Sequence, residues 1–223
     1  MKLPVVEVFR SVQGEGPRLG IPTVFIRLGG CNLCCPWCDS MYAHRDWTPE
    51  LTELDEVLEQ VDELAGLDTR MATITGGEPT IHGDMLTVLI NRLVSRFELV
   101  EVETNGTNAP RNEWLHPRVR WNVSPKFITD AFDPKHLGPW MALARMHNHA
   151  PLTHNSVAFK VVVSFREDVE HVLATLPPSM HRLVYLMPLG TTPDEVLAVM
   201  RRLTLQSLPV NVTTRLHVLL SLR

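Results

Sequence analysis

The sequence predicts an α/β fold built on a parallel sheet. Short β-branched runs alternate with stretches of helical periodicity, a pattern that folds into parallel strands joined by right-handed crossovers. Several of these runs turn polar or Gly-rich at their carboxyl ends, the edge at which such sheets bind ligands. Six strands of this kind are visible. That is too few for a complete eight-stranded barrel, so a partial TIM-type barrel or an open sheet is expected.

The elements follow in order. "PTVFIRLGG" (22–30) is a buried-strand pattern ending in glycines. Residues 51–65 carry Leu51, Leu54, Val57, Leu58, Val61 and Leu64 at helical spacing, with Thr48 and Pro49 as the expected start. "MATITGG" is the next strand, 84–96 the next helix and "ELVEVET" the third strand. "RVRWNVS", "SVAFKVVVSF" and "HRLVYLMP" complete the six, with helices expected at about 167–176 and 193–205. Residues 130–156 are helix-like only around Met141 to Met146, because Pro, Asn and His interrupt them. The C-terminal "RLHVLLSLR" is expected to be a last strand that could close a site. No repeat, low-complexity segment or linker divides the chain, so residues 1–223 are expected to form one domain.

The bulk properties narrow the setting. Hydrophobic content of 44% with 21% charge is that of an ordinary soluble protein. A net charge of −4 gives no basic nucleic-acid footprint. No apolar run approaches the ~20 residues that span a bilayer, and the start lacks a signal-peptide pattern. A cytoplasmic chain that binds neither membrane nor nucleic acid is expected. In that compartment clustered cysteines bind metal or do chemistry more often than they form disulfides.

All four cysteines lie in "GGCNLCCPWCDS". Zinc sites usually bring two ligand pairs across a longer spacer, and no second pair exists here. Three thiolates from one loop, with a coordination position left open, suit a cubane iron–sulfur cluster. Cys31-x-x-x-Cys35-x-x-Cys38 is the spacing of the radical S-adenosylmethionine enzymes, and "TGGEP" (75–79) resembles that superfamily's second motif. A competing frame, Cys31-x-x-Cys34-x-x-x-Cys38, exists in the same residues. The superfamily spacing makes Cys35 the ligand and Cys34 a small apolar filler.

The resemblance extends further. "EVFRSVQGEGPRLGIPTVFIRLGGCNLCCPWCDS", followed by "TGGEP", "ETNGT" and "SPK", is similar to the 7-carboxy-7-deazaguanine synthase (QueE) family over most of residues 5–126. The resemblance implies a trimmed radical-SAM barrel and a homodimer. It implies the ring contraction of 6-carboxy-5,6,7,8-tetrahydropterin to 7-carboxy-7-deazaguanine with loss of ammonia, in queuosine and deazapurine biosynthesis. The cofactors implied are a 4Fe-4S cluster, S-adenosylmethionine and Mg2+. A flavodoxin or ferredoxin is implied as electron donor.

The same resemblance assigns residues. Cys31, Cys35 and Cys38 would hold the cluster. Gly77, Glu78, Trp37, Ser124, Pro125 and Lys126 match positions that contact the cofactor, with Gly77 allowing close backbone approach and Glu78 pairing with the ammonium. Val12, Gln13, Gly14, Glu15, Arg27 and Thr75 would meet the pterin. Arg27 would clamp its carboxylate, a task suited to a planar fork. The family has threonine where Ser40 stands. Serine keeps the oxygen that ligates magnesium and loses the methyl that restricts the rotamer.

Other features carry less. Alternation puts Lys160 opposite Phe159 and Val161, facing either the barrel interior or a helix. His147, His149 and His154 match no zinc spacing. Two other readings stay open: a glycyl-radical-enzyme activase or other small radical-SAM enzyme, and a non-catalytic protein stapled by its cluster. "QGEG" and "CDS" favour the synthase over the first, and "TGGEP" argues against the second.

Overall fold

The computed structural model describes residues 1–44, 51–127, 132–147, 156–190, 192–203 and 209–220. Strand β1 (Lys2–Leu3) leads into β2 (Val5–Val12), which pairs antiparallel with β3 (Pro22–Leu28). The cluster loop follows, then β4 (Thr52–Glu53) and α1 (Leu54–Ala65). Next come β5 (Met71–Gly76), α2 (Asp84–Val94), β6 (Leu99–Thr104) and β7 (Val119–Val123). The chain continues through α3 (Leu137–His147), β8 (Val157–Val163), α4 (Arg166–Thr175) and β9 (Val184–Pro188). It ends with α5 (Pro193–Leu203), β10 (Asn211–Val212) and α6 (Leu216–Leu219).

The main sheet has the order β10-β9-β8-β7-β6-β5-β3-β2. The six expected strands are parallel neighbours, with the two-residue β10 added at one edge and antiparallel β2 at the other. The two edge strands do not pair, so the sheet stays an open, partial barrel.

The period of two sorts the side chains. Val24, Ile26 and Leu28 of β3, Ala72 and Ile74 of β5, and Val100 and Val102 of β6 enter one hydrophobic core. So do Val119, Trp121 and Val123 of β7 and Val157, Phe159, Val161 and Val163 of β8. The helices cover this face: Leu54, Val57, Leu58 and Val61 of α1 and Leu86, Leu89, Ile90 and Leu93 of α2 join the same core. The intervening residues form the other face. They include Arg27, Thr73, Thr75, Glu101, Glu103, Asn122 and Lys160. A core covered by helices on one side thus leaves a polar inner wall on the other.

Three expectations change. Helix α1 begins at Leu54, because Thr52 and Glu53 are extended and pair with Lys2 and Leu3. The expected start at Thr48 and Pro49 lies outside the described residues. The C-terminal segment is not a strand at 215–220: the chain leaves the sheet after Thr213 N–H donates to Leu186 O at 2.9 Å, and 216–219 coil into one helical turn. A full helix spans Leu137–His147, where only a fragment was expected. It seats Trp140 beside Trp121 at 5.0 Å between ring centroids, and Trp140 Nε1–H donates to Asn108 O at 3.0 Å. The His149 and His154 positions and the His147 side chain lie outside the described residues. Among the described residues, no helix is long and apolar enough to cross a membrane.

Candidate active site

The inner wall opens at the carboxyl ends of the strands into a cavity of about 490 Å3, a size that suits a small-molecule ligand. Its lining comes from many elements: the β2–β3 turn, the cluster loop, the ends of β5, β6, β7, β8 and β9, and the C-terminal segment.

Cys31, Cys35 and Cys38 all line this cavity. Cys34 is exposed and does not. The backbone therefore turns three thiols inward and one outward, as the spacing of the superfamily implies. Burial pushes the Cys31 and Cys35 thiols above their ordinary value, and the neighbouring sulfurs add to it. Three sulfurs facing one space match the donor set of a cuboidal cluster with an open position.

The Gly76–Gly77 pair fastens this loop. Gly77 N–H donates to Leu28 O at 3.0 Å, and Glu78 N–H donates to Gly30 O at 2.8 Å. A Cβ on Gly77 would lie 2.2 Å from Gly30 O. The close approach expected of Gly77 is therefore made by the cluster loop itself. Both glycines also line the cavity. Glu78 stands elsewhere than expected. It is fully buried and does not line the cavity. Its carboxylate accepts Thr80 Oγ1–H at 2.6 Å, Thr80 N–H at 3.0 Å, Thr104 Oγ1–H at 2.7 Å and Asn105 N–H at 2.5 Å. Four protein donors occupy the carboxylate expected to pair with the cofactor, so Glu78 ties the end of β5 to the end of β6. Pro125 is also buried outside the lining, whereas Trp37, Ser124 and Lys126 are part of it. Lys126 Nζ donates to Ser124 Oγ at 2.8 Å, and burial holds the Lys126 ammonium below its ordinary value.

The other expected positions, Val12, Gln13, Gly14, Glu15, Arg27, Ser40 and Thr75, all line the same cavity. Arg27 Nε–H donates to Glu7 Oε1 at 2.8 Å, its Nη1–H reaches Ser40 Oγ at 3.3 Å, and Tyr42 stacks 5.6 Å from the guanidinium. Glu7 thus holds the fork at the wall. Gln13 is 2% exposed; its amide donates to Glu101 and to Glu103 Oε1 at 3.2 Å. Thr75 Oγ1–H donates to Glu103 Oε2 at 3.2 Å.

The sequence reading missed several lining residues. Alternation along their strands places both Glu103 and Lys160 on the inward face. Lys160 faces inward: its Nζ bonds Glu15 and lies 3.7 Å from Glu103 Oε1. Burial alone would lower the Lys160 ammonium, but Glu103 and Glu15 hold it above its ordinary value. Burial would likewise raise Glu103, but Lys160, Thr75, Arg27 and Gln13 hold it below its ordinary value. Deeper in the wall, Glu101 pairs with Arg18, and burial keeps that carboxyl raised. Asp39, Arg215 and His217 had no periodic signal, because they sit in irregular segments. Asp39 accepts Ser40 Oγ–H at 3.1 Å and Arg215 Nη1–H at 3.3 Å. Ligand atoms of Glu15, Asp39 and His217 lie within 4.8 Å of one another beside Ser40, a mainly oxygen donor set suited to a hard cation.

Known proteins resemble this chain. Residues 25–116 match the Radical SAM superfamily. A 7-carboxy-7-deazaguanine synthase of Hyperthermus butylicus is 38% identical over 99% of this chain and 93% of its own length. The synthase of Halobacterium salinarum is 34% identical over 98% of this chain and 90% of its own. The crystal structure of QueE from Escherichia coli superposes with a TM-score of 0.71 at 25% identity, covering 97% of this chain and 95% of that one. The similarity at this identity and coverage joins the whole chain, not the cluster loop alone, to one group of enzymes: the chain belongs to the 7-carboxy-7-deazaguanine synthase family of the radical SAM superfamily.

Proposed function

We propose that this chain converts 6-carboxy-5,6,7,8-tetrahydropterin to 7-carboxy-7-deazaguanine with loss of ammonia, by radical-SAM chemistry in deazapurine biosynthesis. One observation carries the reading. Three inward thiols and the polar set Gln13, Glu15, Arg27, Thr75 and Glu103 line one cavity of substrate size.

Cys31, Cys35 and Cys38 hold the 4Fe-4S cluster, and Gly77, Trp37, Ser124 and Lys126 hold S-adenosylmethionine. When bound, the cluster and S-adenosylmethionine would supply one-electron radical chemistry. Glu78 and Pro125 act indirectly, by shaping the strand ends. Val12, Gln13, Gly14, Glu15 and Thr75 orient the pterin, and Arg27 binds its carboxylate. Gln13 and Thr75 are themselves fixed by Glu103, so they reach the substrate with little rotamer freedom left to lose. Ser40, with Asp39 beside it, is the proposed Mg2+ position. We further propose that residues 1–223 are one domain, that the enzyme is a cytoplasmic homodimer, and that a flavodoxin or ferredoxin delivers the electron. One continuous eight-stranded sheet supports the first of these.

Arg27→Ala tests the substrate assignment. Losing a charge-assisted fork costs about 1.5–3 kcal/mol, so the KM for the pterin should rise roughly 10–100-fold with iron content unchanged. An unchanged KM rejects the clamp. Activity should also rise with added Mg2+, and a flat titration removes Ser40 from the site.

A further inference from the structure

The open barrel has a seam between its edge strands β10 and β2. Residues 213–217 cross it. Gly16 N–H donates to Thr213 Oγ1 at 2.8 Å, and Leu216 N–H donates to Gly14 O at 2.8 Å. His217 packs so closely that a Cβ on Gly14 would lie 2.1 Å from its Nδ1. Arg215 sits in the middle of this crossing and is only 7% exposed. One arm of its guanidinium donates to Asp39 in the cluster loop at 3.3 Å, and the other donates to Gly190 O beyond β9. The side chain also lines the cavity.

We infer that Arg215 is a positioning residue: it clasps the C-terminal segment to the cluster loop and to the end of β9, and so closes the barrel seam over the substrate. The planar fork allows this, since it presents two donors in fixed directions to two acceptors that share no chain segment. Asp39 lies between Cys38 and Ser40 in the chain. The clasp therefore holds the wall of the proposed Mg2+ position at the same time as it excludes water. The inference rests on the proposed function for its kinetic consequences only.

The test compares wild type with Arg215→Gln, Arg215→Lys and Thr213→Val, all reconstituted anaerobically. Hydrogen–deuterium exchange is followed at residues 213–217, and kinetics give the KM for the pterin and the 5′-deoxyadenosine formed per deazaguanine. Arg215→Gln should raise both the exchange rate and the KM about tenfold, with the deoxyadenosine ratio rising too, while iron content and S-adenosylmethionine affinity stay at wild-type levels. Arg215→Lys should fall between, because an ammonium can reach Asp39 or Gly190 O but cannot fork to both. Thr213→Val should speed exchange at Gly16 and Leu216, opening the seam from its other side. Unchanged exchange at 213–217 in Arg215→Gln, or an unchanged KM alongside faster exchange, overturns the clasp. So does an equal loss of iron in the Gln and Lys variants, which marks a purely structural residue. Exchange needs no turnover: a wild-type enzyme that forms no deazaguanine defeats the functional reading, and exchange then judges the clasp.

Discussion

Lys160→Met would place a side chain of similar length in the inner wall and remove its charge. Lys160 is 4% exposed and is held by Glu15 and Glu103. Taking one partner from a buried ion pair costs about 3–5 kcal/mol, because the other charge stays behind unpaired. Glu103 keeps Thr75 and Gln13 as donors at 3.2 Å and Asn122 at 3.5 Å. The loss should therefore sit at the lower end, about 3 kcal/mol at pH 7. The sign of the pH dependence is a sharper test. In wild type Glu103 is held below its ordinary value, so its contribution is present above about pH 4.3 and is lost as pH falls through the depressed value. Without Lys160 the largest influence holding the Glu103 carboxyl down is gone, and burial pushes it upward from its wild-type value. The variant's deficit should then shrink between pH 7 and pH 5, because protonation relieves the buried charge. Anaerobic urea unfolding of both proteins at the two pH values measures this, and taking the difference cancels groups common to both. A deficit under about 1 kcal/mol, or one equal at both pH values, would refute the reasoning.

Three other outcomes are expected. Cys34→Ala should bind the full complement of iron on reconstitution, whereas Cys35→Ala should not; the reverse pattern would show that the other cysteine frame holds the cluster. Gly77→Ala should cost about 2–4 kcal/mol and lower iron occupancy, because the added methyl meets Gly30 O at 2.2 Å and displaces two backbone hydrogen bonds. Gly138→Ala is the control: its Cβ meets nothing within 4 Å, so urea unfolding should show stability unchanged or slightly raised.

Much of the fold was legible because the strands carry their own period. "LVEVET" and "VAFKVV" hold apolar residues at alternate positions, and those positions became the core under the helices. Cluster spacing was legible for a different reason: the ligands sit within one loop, so sequence distance limits spatial distance. Boundaries set by remote partners were not legible. Helix α1 starts late because residues 52 and 53 pair with the N-terminus, a contact that no local pattern records. Glu78 was expected to face a ligand, yet it caps its own turn through Thr80 and accepts from Thr104 and Asn105, which only the sheet brings near. The C-terminal strand failed similarly: an apolar run of that length fits strand or helix equally, and bonds to Gly14 and Gly16 decided the outcome.

The central claim is most directly tested by product formation. Reconstituted enzyme would be given reductant, S-adenosylmethionine, Mg2+ and 6-carboxytetrahydropterin under anaerobic conditions, and 7-carboxy-7-deazaguanine and 5′-deoxyadenosine would be followed by mass spectrometry. The account predicts deazaguanine in amounts exceeding the enzyme. Deoxyadenosine with no deazaguanine, from protein shown to carry a full cluster, would contradict it and leave a radical enzyme acting on another substrate.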